Sequence, residues 1–142
     1  MTDDSELRDL GEALVRTTTR AVRWLPTEGL EHSLATIRIM ARLNDIGPSR
    51  ITDLAELERS SQPTITNHVK RLESLGFVER TRDPGDARSS LVELSPAGRE
   101  QLQAVRRRLG SNLQPRLTHL TTRDRRTLAA GLSVLQRLMS ET

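Results

Sequence analysis

Apolar positions along the chain recur at helical spacing and are interrupted by one short stretch of strict alternation. Leu7, Leu10, Leu14, Ala21 and Leu25 mark a first helical face, which Pro26 and the Pro-Thr-Glu-Gly run bring to an end. Ser33 is placed to cap a second helix with Leu34, Ile37 and Ala41 inward, closed by Gly47-Pro48. A short third helix is expected from about Ile51 to Glu58, with Ile51, Leu54 and Ala55 inward. The best-punctuated helix follows. Ile65, Val69 and Leu72 stand at i, i+4 and i+7, Ser61 is a natural N-cap, Pro63 fits the first turn, and Gly76 suits the left-handed position past the end.

After Gly76 the period changes to two, in Phe77 to Arg82 and again in Ser90 to Ser95. Asp83 to Ser89, with Pro84-Gly85, joins these runs as the polar tip of a hairpin. Ser95-Pro96 opens another helix carrying Leu102, Val105, Leu109 and Leu113, which Pro115 is expected to kink or end. Thr121 with Asp124 resembles a capping box and starts a last helix with Leu128, Leu132, Leu135 and Met139 on one face. The pattern contains no internal repeat and no low-complexity linker.

Composition narrows the class. A chain of 142 residues suits one domain or one split architecture, and its 22 leucines beside one Phe, one Trp and no Tyr call for helices rather than an all-β core. No apolar run nears the ~20 residues that span a bilayer, and the first residues are acidic, so no membrane association and a cytoplasmic location are expected. The absence of cysteine removes disulfides, thiol redox sensing, thiolate zinc sites and a Cys nucleophile. The sequence pI of 10.8 overstates the basic character, because all but one of the 22 basic residues are Arg and the net charge is only +3. Residues 99–142 hold nine arginines against three acids, whereas 46–98 are slightly acidic. Bulk charge therefore does not locate a binding face.

A short helix, a tight turn, a well-capped helix and a hairpin with a basic tip together make a winged helix-turn-helix, whose second helix enters the major groove of double-stranded DNA. With Ile65, Val69 and Leu72 inward, the opposite side presents Ser60, Pro63, Thr64, Asn67 and Lys70, and further round Thr66 and Arg71. This face carries no acid. Short hydroxyls allow close approach, Gln62 and Asn67 have amides that pair bidentately with adenine, and Ser61, Lys70 and Arg71 suit positioning and phosphate. At the hairpin tip, Arg82 and Arg88 flank the turn that contains Asp86.

These residues resemble the MarR family of winged-helix transcriptional regulators. The resemblance rests on "ITDLAELERSSQPTITNHVKRLESLGFVERTRD" and on "DARSSLVELSPAGRE", an Asp-x-Arg wing followed by alternation and a Ser-Pro-x-Gly helix start. It implies that Arg88 enters the minor groove with Asp86 orienting it, and that Pro63, Thr64 and Asn67 belong to the reading contacts. Asn67 stands where many members carry Arg. It further implies a homodimer joined by its first and last helices, acting on a pseudo-palindromic operator as a ligand-responsive repressor, with a small aromatic or anionic effector held between the dimer helices and the reading domain. On this division residues 33–95 form the DNA-binding region, and 1–32 with 96–142 form the helical dimerisation region. The apolar stripes at both ends agree independently, since helices outside a compact winged domain need a partner to bury them.

Other features have plainer readings. Arg106, Arg107 and Arg108 point about 100° apart on a helix and form no stripe. His32, His68 and His119 lack metal-ligand spacing, and His68 falls toward the packed side of its helix, so no metal or other cofactor is expected. Trp24 and Arg38 are the candidates for an effector, although a lone Trp is commonly a core anchor and Arg38 can equally face solvent. No phosphate loop, nucleophile elbow, His-Glu-x-x-His pair or dinucleotide fingerprint is present, and an enzyme is not expected.

Overall fold

Eight elements follow one another in the computed structural model, which describes residues 3–141: α1 (Asp4–Trp24), α2 (Leu34–Ile46), α3 (Ile51–Leu57), α4 (Gln62–Ser74), β1 (Val78–Arg82), β2 (Ser90–Leu94), α5 (Pro96–Leu117) and α6 (Thr122–Ser140). The fold is mainly α with a two-stranded antiparallel hairpin. The chain divides into two compact units, Gly29–Arg108 and the remainder.

The unit Gly29–Arg108 has the core. Ile39, Met40 and Leu43 of α2 meet Leu54 of α3, Ile65, Val69 and Leu72 of α4, and Val92 of β2, all nearly inaccessible to water. Each such side chain contributes about 1.5–3 kcal/mol on burial. The inward face of α2 is rotated from the expected one. Ile37 is buried as anticipated, but Leu34 and Ala41 are only half-buried, and the stripe runs through Thr36, Ile39, Met40 and Leu43. Helix α2 is also fastened to α4 by a polar contact, Thr36 Oγ1 to His68 Nδ1 at 3.0 Å, so His68 serves packing between helices. His32 sits edge-on to Phe77 with ring centroids 5.9 Å apart.

Local signals end the elements where the chain needs to turn. The hydroxyls of Ser33 and Ser61 accept the N–H groups of Thr36 and Thr64, each cap being worth about 1 kcal/mol. Gly76, at φ +76°, turns the chain out of α4 into β1. In the hairpin Val78 faces Leu94, Arg80 faces Val92 and Arg82 faces Ser90. The start of α5 is pressed against the hairpin base: Ser95 Oγ donates to the Gly76 carbonyl at 2.5 Å and accepts from Gly98 N–H at 3.0 Å, while Ser95 N–H donates to the Phe77 carbonyl.

The other unit contains α1, the end of α5 and α6. Neither α1 nor α6 has a buried residue, and Leu7, Leu10, Val22, Leu128, Leu132 and Met139 are all exposed. Asn112 donates to the carbonyls of Pro26 and Glu28, both at 2.9 Å. Pro115 does not end α5 on the spot. It lies in the last turn, and the helix continues to Leu117: proline's missing N–H removes one bond, while residues after it can still donate, as Thr118 N–H does to the Gln114 carbonyl. Among the described residues no helix is long and apolar enough to cross a membrane.

Candidate nucleic-acid interface

Helices α3 and α4 form the helix-turn-helix pair. Leu54 and Ala55 pack under Ile65 and Val69, and this alignment sets the outer side of α4. Ser61, Gln62, Pro63, Thr64, Asn67, Lys70 and Arg71 are exposed, whereas Ser60 and Thr66 are half-buried. The helix period predicts such an arrangement, and it brings the expected reading residues onto one accessible surface. Ser61 has a second task within that surface. Its Oγ caps Thr64 N–H at 3.2 Å and lies 2.8 Å from Thr64 Oγ1, so the first turn is rigid before any ligand arrives.

The wing is organised by a residue that the sequence pattern leaves unmarked. Asp83 is 6% exposed, and Arg50 Nε donates to its Oδ2 at 2.6 Å. Ser89 Oγ donates to the same oxygen at 2.9 Å, and Gly85 N–H donates to Oδ1 at 2.9 Å. The Gly85 N–H, then the Arg50 and Ser89 hydrogen bonds, hold the Asp83 carboxyl below the usual carboxylate range, and the same pairing raises Arg50. Beside Arg50, Ser49 exchanges two backbone hydrogen bonds with Val92, at 2.9 and 2.8 Å. The segment leading into α3 thus grips the wing at its middle and at its tip.

Asp86, which the family resemblance casts as orienting Arg88, holds the backbone of that residue here. Its Oδ1 accepts the backbone N–H of Arg88 at 2.9 Å, and among the described residues no ion pair joins it to the Arg88 guanidinium. A two-residue separation suits this Asx turn, in which the carboxylate fixes the path of the chain and leaves the arginine side chain free.

A further acid is removed from the surface. Glu58 has a side chain 2% exposed, held by Arg42 at 2.9 Å and by Arg38. Burial pushes its carboxyl up, but the hydrogen bonds from Arg42 and Arg38 outweigh that and hold it below the ordinary value. Arg38 is thereby committed to Glu58. Glu73 is paired with Arg80 at 3.1 Å. With these partners accounted for, Arg59, Lys70, Arg71, Arg82 and Arg88 are exposed and carry no side-chain hydrogen bond or ion pair among the described residues. The slightly acidic count of this stretch conceals a set of unpaired cations on and beside the reading helix and wing.

Trp24, the other effector candidate, is half exposed, and the Arg116 guanidinium lies 4.7 Å from its ring centroid while donating to its carbonyl at 3.2 Å. A groove of about 400 Å³ is lined by Arg16, Thr17, Arg20, Ala21 and Trp24. Among the described residues no group of His, Asp and Glu is placed to hold a metal ion.

Sequence reasoning missed Asp83, Arg50 and Glu58. Asp83 before Pro84-Gly85 does signal a turn, and that signal accounts for its bond to Gly85 but not for its partner 33 residues earlier.

Comparison with known proteins agrees with a winged-helix fold. The family model described as the MarR family matches residues 33–90. An HTH-type transcriptional regulator from Mycobacterium bovis is 31% identical over 110 residues, 78% of this chain and 77% of that protein. The HTH-type transcriptional repressor NicR of Pseudomonas putida is 36% identical over 66 residues, 46% of this chain and 42% of that protein. Among solved structures, a mutant of MarR from E. coli superimposes with a TM-score of 0.71 at 24% identity, covering 89% of this chain and 96% of that one.

Proposed function

From the premise that this chain belongs to the MarR family and is a DNA-binding transcriptional regulator, we propose that it is a homodimeric repressor that straddles a pseudo-palindromic operator and is released by a small aromatic or anionic effector. The observation that carries this is the pairing of a capped, acid-free outer face on α4 with two amphipathic helices, α1 and α6, in which no described residue is buried. A two-fold axis through the helical ends, 1–32 and 96–142, sets two copies of the 33–95 region on successive major grooves, about 34–36 Å apart.

In each copy Gln62, Thr64 and Asn67 read base edges, with Asn67 suited to adenine, while Ser60, Ser61, Pro63 and Thr66 shape the entering turn. Lys70 and Arg71 anchor phosphates, and Arg82 and Arg88 follow the minor groove, where negative potential is enhanced. A dimer seated this way blocks access to a promoter that overlaps its site. The groove at Trp24, with Arg16 and Arg20 on its walls, matches the chemistry of an aromatic anion.

The decisive experiment couples assembly to binding. Replacing both Leu132 and Leu135 by Arg should give monomers by analytical ultracentrifugation and abolish binding to a duplex that the unaltered protein selects from a random pool. A double variant that remains fully dimeric, or that binds as a monomer with undiminished affinity, overturns this assignment. For release, an aromatic carboxylate such as salicylate should weaken binding to the selected duplex while peroxide and chelators leave it unchanged.

A further inference from the structure

The turn between α3 and α4 contains a backbone conformation that its residue does not favour. Arg59 has φ +50°, and it is the one non-glycine with positive φ among the described residues, the others being Gly29, Gly47 and Gly76. Here Arg59 N–H donates to the Glu56 carbonyl at 3.1 Å and Ser60 N–H to the Ala55 carbonyl at 2.9 Å, so the left-handed step at residue 59 is what closes α3 and starts the approach to α4. Glycine takes this position without cost, whereas a Cβ crowds the following carbonyl. An arginine therefore stands where the backbone alone selects glycine.

Its side chain supplies no compensation inside the protein. It is exposed and has no hydrogen bond or ion pair among the described residues. The adjacent Glu58, the obvious partner, is turned inward to Arg38 and Arg42. The strained residue lies two positions before the Ser61 cap, at the end of the reading helix that carries Gln62, Pro63 and Thr64. An exposed, unpaired, permanently charged group at such a position is available for a contact outside the chain.

We propose that Arg59 is a DNA-backbone contact whose guanidinium engages a phosphate beside the bases read by α4, and that the left-handed turn is kept non-glycine for the sake of this charge. The inference rests on the DNA-binding role of the winged unit. A permanent positive charge there pairs with a phosphate, and such a contact is independent of sequence. It fixes the depth at which α4 sits, which neither Lys70, later in the helix, nor the wing arginines control.

Full-length Arg59→Gly, Arg59→Ala and Arg59→Lys proteins test this by fluorescence anisotropy on a random-sequence duplex and on a duplex selected by the unaltered protein, at several salt concentrations, beside thermal unfolding. Arg59→Gly should unfold at the same or a higher temperature yet bind both duplexes about tenfold more weakly near ~0.1 M salt, with the salt slope shallower by about one for each protomer bound. Arg59→Lys should stay close to the unaltered protein. Unchanged affinity and slope in Arg59→Gly overturn the proposal, as does a loss in Arg59→Lys equal to that in Arg59→Ala. Failure of the unaltered protein to bind either duplex overturns instead the DNA-binding role on which the proposal rests.

Discussion

Arg50 and Asp83 are 33 residues apart in sequence and 2.6 Å apart at their charged atoms, so the residue just before the first turn of α3 also fixes the tip of the wing. The pair joins the helix-turn-helix to the hairpin through side chains, and Ser49 with Val92 does so through backbone. Asp83→Ala and Arg50→Ala should each weaken operator binding about tenfold while far-UV circular dichroism stays unchanged, and the double variant should be little worse than Asp83→Ala alone. Losses that multiply in the double variant would show that the two side chains act separately.

The same carboxylate gives a pH signature. Its folded-state pKa is depressed by Gly85 N–H, Arg50 and Ser89, so its contribution is fully present above the unfolded carboxylate value, about 4, and is lost as pH falls through the lower folded value. The difference in unfolding temperature between the unaltered protein and Asp83→Asn should be constant at neutral pH and shrink only below about pH 4. A difference that vanishes already near pH 6 would exclude Asp83 as its source.

Asp86 and Arg88 are separable because the carboxylate holds a backbone N–H rather than the guanidinium. Arg88→Ala should lose substantial affinity at all salt concentrations. Asp86→Asn keeps the acceptor oxygen, removes a charge near phosphate, and should bind at least as tightly as the unaltered protein at low salt. Asp86→Ala loses the turn and should bind more weakly. Titration of the three variants at two salt concentrations checks this ordering, and tighter binding by Asp86→Ala would show the Asx turn to be dispensable.

On α4, reading and anchoring should divide along the helix. Thr64→Ala and Asn67→Ala are expected to relax preference at particular operator positions by about 1–3 kcal/mol, whereas Lys70→Ala weakens all sequences alike and flattens the salt slope. Equal losses on selected and random duplexes for all three variants would refute this division.

Gly98 is a packing position. It is buried at the start of α5, and a Cβ there collides with the Phe77 carbonyl, a backbone atom held by its bond from Ser95 N–H. Gly98→Ala should destabilise by about 1–3 kcal/mol or more, read as a fall in unfolding temperature. A melting temperature equal to that of the unaltered protein would mean that the hairpin base yields.

Much of this architecture is legible because it is written locally. Ser61, Pro63 and Gly76 delimit α4 through backbone preferences that act within one turn, and the alternation on either side of Asp83–Ser89 identifies the two strands. The outer face of α4 follows directly from where Ile65, Val69 and Leu72 are buried. What periodicity does not carry is pairing between charged side chains of distant segments. Arg50 with Asp83, and Glu58 with Arg38 and Arg42, need the tertiary arrangement before they can be seen. Asp86 illustrates the opposite situation. Its proximity to Arg88 in sequence suggests a side-chain pair, but the shorter path is to the backbone. The rotation of α2 has a similar origin, since Leu34 and Ala41 have the right polarity but Met40 and Leu43 face the helices that actually lie beside it.

If the proposed homodimer forms, the exposed apolar positions of α1 and α6 tie the order of the helical ends to mass action, while the winged unit keeps a core of its own. Dilution would then loosen the ends and lower occupancy of the DNA together, and chains left single would offer their leucines to proteases and chaperones. In that case the abundance of the chain sets the steepness of its response.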